Sequence, residues 1–191
     1  MVARAPWRGR WASLAALVLA LMGAACIGTT DRSDFTAEIQ QRGGGLTSEL
    51  PMDAVDAVAS RLGVDDFDLR TLTVTPQDGT VLLDVRDPAA LEHLDRYVVR
   101  GGAVEQVQPV RLTATDILDT QTFPVSGLAL DRVEDMVDTA LAHFPSDGYV
   151  TSMSIDRTRD GVEIELALES PRTAATARFT GDGELIDVVP N

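Results

Sequence analysis

Two pairs of segments repeat along the chain, and no other feature constrains its fold as much. SELPMDAV (Ser48 to Val55) lines up with SGLALDRV (Ser126 to Val133) at an offset of 78, with Ser, Leu, Asp and Val coinciding and Met52 opposite Leu130. RGGAVEQVQP, ending at Pro109, lines up with GDGELIDVVP, ending at Pro190, at an offset of 81. Here Gly102 meets Gly183, Val104 meets Leu185, Val107 meets Val188, and the prolines coincide. The three extra residues fall around HFPSDGYV. Two matched ends with one insertion predict a duplicated supersecondary unit.

Each unit reads as a helix followed by antiparallel strands. Pro51 suits the first turn of a helix, and Met52, Val55, Val58, Ala59 and Leu62 recur at helical spacing. Leu130, Val133, Met136, Val137, Ala140 and Leu141 do the same in the second unit. The strands LRTLTVT and TVLLDVR flank Asp78-Gly79, a hairpin signal, and TSMSIDR and VEIELALE flank Asp160-Gly161. In VEIELALE, Val162, Ile164, Leu166 and Leu168 alternate with glutamates, so one face is buried and the other wet. RYVVRGGAVEQVQ and ARFTGDGELIDVV close the units as hairpins, and DPAALEHLD before the first reads as a helical turn. The predicted class is α+β: two repeated units, each one helix packed on a small antiparallel sheet. They occupy residues 48–110 and 126–191, joined by a connection over 111–125 with room for one extra strand.

The chain holds one cysteine, Cys26, so no internal disulfide can brace these units. Ahead of it stand Arg4, Arg8 and Arg10, an apolar run from Ala12 to Met22, and the small residues Gly23, Ala24 and Ala25. That order is a secretory signal peptide over 1–25. Eleven residues of helix span about 16 Å, short of a hydrocarbon core of about 30 Å. With Ala24, Ala25 and Cys26 in the last places of a lipobox, the leader resembles a bacterial lipoprotein precursor; Gly23 stands where such boxes usually carry Leu. The resemblance implies that the Cys26 thiol carries the lipid and becomes the new N-terminus, on the outer face of the cell membrane. Residues 26–47, polar and carrying Gly43 to Gly45, read as a flexible tether.

The order of elements, with the closing RFTGDGELIDV, resembles the PepSY-type module of bacterial envelope proteins. That resemblance implies a non-catalytic extracytoplasmic module, of a kind associated with restraining peptidases. Charge points away from nucleic acid. The formal net charge is −14; with the leader removed, 13 arginines face 30 carboxylates, a net −17 that repels phosphate backbones.

No set of residues spells out catalysis. The two histidines, His93 in ALEHLDRY and His143 in LAHFP, fall at unmatched places in the repeats. His93 reads as a solvated turn residue and His143 as the last turn of a helix, where it interacts well with the dipole. No nucleophile elbow, phosphate loop or zinc-binding pair is present. Asp65, Asp66 and Asp68 can offer oxygens to calcium, but they lack the glycine and distal glutamate of an EF-hand and read as a solvated loop. DRTRDG (Asp156 to Gly161) reads as local pairing across a hairpin. Hence no catalytic residue, metal ligand or cofactor is assigned, and Cys26 is the one residue given a chemical role. What remains is surface: an outward hairpin face with Arg157, Arg159, Glu163 and Glu165, and edge strands open to strand addition. The expectation is a lipid-anchored, non-enzymatic binding or regulatory module for an envelope protein such as a peptidase or other hydrolase. The alternative is a carrier or sensor of an apolar ligand such as a lipid, which needs a cavity of several hundred Å³.

Overall fold

The computed structural model describes residues 42–191. The segment predicted as a signal peptide (1–25), Cys26 and all but the last residues of the predicted tether (26–47) lie outside them.

After the turn at 43–45, Ser48 opens helix α1 (Glu49–Leu62), which closes on Gly63 at φ +72°, its N–H donating to the Ala59 carbonyl. Four strands follow: β1 (Asp68–Thr75), β2 (Thr80–Arg86), β3 (Leu94–Arg100) and β4 (Ala103–Pro109). A connection carries the single turn α2 (Leu118–Gln121) and the two-residue strand β5 (Phe123–Pro124). Helix α3 (Val133–Ala142) then precedes β6 (Tyr149–Arg157), β7 (Val162–Glu169), β8 (Ala174–Thr180) and β9 (Leu185–Pro190).

All the strands join one sheet of nine, in the order β4-β3-β2-β1-β6-β7-β8-β9, with β5 pairing the start of β1. Every neighbouring pair is antiparallel. At the centre, Thr71, Leu72, Thr73 and Val74 of β1 face Asp156, Ile155, Ser154 and Met153 of β6. Alternation along each strand turns one side of the sheet apolar. Leu72, Val74, Leu83, Val85, Met153, Ile155, Ile164 and Leu166 are fully buried there. Helix α1 lies over β2, β3 and β4, and α3 over β7 and β9. Side chains of both helices belong to one continuous core.

The expected two repeated units, each a helix on a small antiparallel sheet, are therefore corrected to one large, mostly β sheet of nine strands over one core; the sequence alone leaves open whether such units share a sheet. The physical reason lies at the β1–β6 junction. Two separate sheets would leave β1 and β6 as edges with unpaired main chain beside buried apolar residues; pairing them removes both edges. Nor does the first sequence match fall on matching structure. Ser48 to Val55 enters α1, whereas Ser126 to Val133 crosses two 3-10 turns, Val125–Gly127 and Leu130–Arg132, before only Val133 joins α3. RGGAVEQVQP and GDGELIDVVP lie in the two outermost hairpins, at opposite ends of the sheet. The segment DPAALEHLD forms turns rather than a helix, with the Ala90 N–H donating to Asp87 and the His93 N–H to Ala90.

The predicted face of α3 holds: Leu130, Val133, Met136, Val137, Ala140 and Leu141 are all buried. That of α1 is rotated. Pro51, Ala54 and Val58 are buried while Met52 stands exposed. Ser48, at the start of α1, does not cap its own helix but bonds to the other one. Its hydroxyl accepts from the Val133 N–H at 3.2 Å, and its own N–H and O–H donate to the Glu134 carboxylate. Burial pushes the Glu134 pKa up, but the two bonds from Ser48 outweigh it and hold the carboxyl below its ordinary value.

Candidate functional site

The side of the sheet turned away from the helices carries polar rows that cross the strands. One runs Arg96, Asp84, Thr71, Asp156, Glu163 over β3, β2, β1, β6 and β7. The next runs Leu82, Thr73, Ser154, Glu165, Arg178, Asp187 from β2 to β9. Arg96 grips Asp84 with two bonds, Nε to Oδ1 at 2.6 Å and Nη2 to Oδ2 at 2.8 Å. Asp84 is 5% exposed, so this carboxylate depends on its partner. Arg178 grips Asp187 in the same way, at 2.7 and 2.5 Å. The bond from Arg178 draws the Asp187 pKa down, and the reciprocal bond raises that of Arg178. Arg70 lies 3.2 Å from Asp116. Asp156 has no such fork. Loss of water around its carboxyl, reinforced by the charge of Glu165 and opposed by Arg70, raises its pKa. Three arginines thus face six carboxylates, and with Asp156, Glu163 and Glu165 outside the close pairs the face keeps a negative excess.

The two edges of the sheet differ. Strand β4 exposes the polar Glu105, Gln106 and Gln108, and Pro109, whose nitrogen has no hydrogen to donate, and all of these discourage pairing with another chain. Strand β9 exposes Ile186 at 47% and Val189 at 41%, and the Asp187 carboxylate is taken by Arg178. The Asn191 N–H donates to the Ala174 carbonyl of β8. In an antiparallel ladder this turns the N–H and C=O of Val188, three residues back, away from β8. Beside this edge lies an open groove of about 470 Å³. Phe144 and Pro145 after α3 form one wall, and Ala175, Leu185, Val188 and Pro190 the other.

His143 and His93 sit at opposite ends of the sheet. His143 follows α3 at the rim of this groove, its Nδ1 2.9 Å from the Thr139 carbonyl, and His93 is exposed in the turn before β3. The acidic cluster is not brought together as a cage. Asp66 accepts from the Ser126 N–H at 3.2 Å and its hydroxyl at 2.7 Å, tying down the turn after β5, while Asp68 starts β1. Among the described residues no three acidic, histidine or cysteine side chains are grouped to hold a metal. Arg157 and Arg159 are exposed on the β6–β7 hairpin. Glu163 turns to the open face, accepting from the Thr158 hydroxyl at 2.9 Å and lying 4.0 Å from Arg178. Sequence reasoning missed Asp84, Arg96, Arg178 and Asp187. Each looks like an ordinary surface charge until the register pairs it across strands.

No family model matches the sequence, and no curated protein matches it. The resemblance to PepSY-type modules thus gains no support. Among solved structures the chain is similar to a candidate lipoprotein of Clostridium difficile 630, with a TM-score of 0.57 and 12% identity, over 74% of this chain and 92% of that one. At that identity the likeness is one of fold. No helix among the described residues is long and apolar enough to cross a membrane.

Proposed function

We propose that this protein is an exported, lipid-anchored, non-catalytic binding module that holds an extended segment of an envelope protein along strand β9. The observation that carries the reading is the contrast in side chains between the sheet's two edges: β4 exposes Glu105, Gln106 and Gln108, while β9 exposes Ile186 and Val189 beside an apolar groove. An added strand gains main-chain bonds from β9 and drops alternate side chains into the groove. The choice of occupant follows from charge. A second copy would bring two bodies of net −17 edge to edge, so the fitting segment is apolar at alternate positions with basic flanks. The leader ending at Cys26 supports the anchor, and the fold shared with a candidate lipoprotein is compatible with it. The lipid-carrier alternative is less well supported. The space between helices and sheet is filled by Phe123, Phe179, Leu72 and Met153, and the groove is open at the rim.

The test uses the full chain purified from solubilised native envelopes. Val188→Pro removes the outward N–H of that residue, which makes no bond to β8. Val188 also packs against the core, so the variant is expected to melt somewhat lower while still folding in one transition, and to lose the copurifying protein. Undiminished recovery of the same protein overturns the reading. In parallel, Cys26→Ala is expected to release the chain from membranes, and full retention there overturns the anchor.

A further inference from the structure

The chain contains four Asp-Gly pairs, at 78–79, 147–148, 160–161 and 182–183. At such a pair the glycine nitrogen can attack the aspartate side chain, because no Cβ shields it. Folding decides which pair is free to react, and the four differ. The Gly79 N–H donates to the Pro76 carbonyl at 3.2 Å, that of Gly148 to Pro145 at 2.8 Å, and that of Gly183 to Thr180 at 2.9 Å. Each of these nitrogens is held in a turn. Two of the carboxyls are held as well: Asp78 accepts from the Thr80 N–H, and Asp182 from the Thr180 hydroxyl. The third, Asp147, precedes a glycine that is buried against the Phe144 ring.

Asp160-Gly161 is unlike the others. Among the described residues its glycine N–H has no acceptor and its carboxylate no donor or cation. The Gly161 carbonyl accepts from the Thr158 N–H and hydroxyl, but the residue's φ is +143° and a Cβ there would meet nothing within 4 Å, as at Gly79. We propose that Asp160-Gly161 is the site at which this protein's main chain isomerises without an enzyme. The Gly161 nitrogen bonds to Cγ of protonated Asp160, the Cγ–O bond breaks, and the amide proton leaves with the hydroxyl as water, giving a succinimide. Water then adds to either ring carbonyl. Breaking the nitrogen's bond to Cγ restores aspartate, and breaking its bond to the main-chain carbonyl carbon gives isoaspartate. No oxidant or other reagent enters, and the final mass is unchanged. The product carries one more methylene in the main chain, at the tip of β6–β7. There the Thr158 hydroxyl now bridges the Asp160 N–H and Glu163, beside Arg178 on the open face.

The test ages the full chain in detergent at mildly acidic pH, folded in one series and held unfolded in denaturant in the other. Isoaspartate is then counted at each pair. Cleavage after arginine places the four pairs in four different peptides: 71–86, 133–157, 160–172 and 179–191. Folding is expected to suppress isoaspartate at 78, 147 and 182 severalfold while leaving the rate at 160 near its unfolded value. Asp160→Asn, which reaches the same succinimide by losing ammonia, is expected to convert faster than the parent, with the mass change of an amide becoming an acid. Suppression at 160 equal to that at the other pairs, or a slower Asn variant, overturns the assignment.

Discussion

At the scale of single residues, the open face is governed by which charges are partnered. Removing the Arg96 guanidinium leaves Asp84 buried and alone. Because Arg96 is itself half exposed, Arg96→Leu is expected to cost about 2 kcal/mol rather than the full penalty of a buried pair. The double variant Asp84→Val/Arg96→Leu should recover most of that loss in urea titrations, since the carboxylate it strands is gone. Equal losses in both would mean that packing, not the ion pair, matters there. Asp156 carries the opposite sign. Its folded pKa lies above the unfolded value, so its ionised form disfavours the fold at neutral pH, and stability recovers as pH falls through the folded pKa. Asp156→Asn should raise the melting temperature at neutral pH. The gain should vanish below the ordinary carboxylate range, where Asp156 is protonated in both states. A lower melting temperature at neutral pH would contradict this.

At the scale of elements, local pattern was enough for most of the strands. The glutamate alternation of VEIELALE and the two Asp-Gly signals located β7 and the turns of β1–β2 and β6–β7, because a strand's period and a hairpin's turn are written in adjacent residues. The apolar stripe of α3 was legible for the same reason. The buried face of α1 was not, since it is set by packing on β2, β3 and β4, strands distant in sequence. Another unwritten constraint acts just before α1. Gly44 has φ +64°, and a Cβ there would overlap the Val150 carbonyl oxygen of β6, whereas Gly79 at φ +63° has nothing within 4 Å. Gly44→Ala should therefore cost about 2 kcal/mol or more and Gly79→Ala about 1 kcal/mol, read from denaturant midpoints. Equal costs would remove the turn's contact with β6 from the account.

At the scale of the whole molecule, the decisive fact is long-range: β1 and β6 pair, and the strands of both halves form one sheet. Nothing in LRTLTVT or TSMSIDR names its partner. Threonines, serines and apolar residues alternate in both, which suits an edge or a centre equally. Once paired, both halves share one core, so unfolding should be a single transition. Ile155→Ala, at the seam, should lower it as a unit by about 3 kcal/mol. Two separated transitions would restore two independent units. The functional claim lives at this scale too, because only the completed sheet defines which strands are edges. Its most direct measurement is photocrosslinking in intact native cells from a reactive side chain at Ile186 on β9, and in parallel at Gln106 on β4. A discrete protein adduct is expected from position 186 that disappears with Val188→Pro, and none from position 106. The same adduct from both positions, or an adduct at 186 that survives Val188→Pro, would contradict the claim.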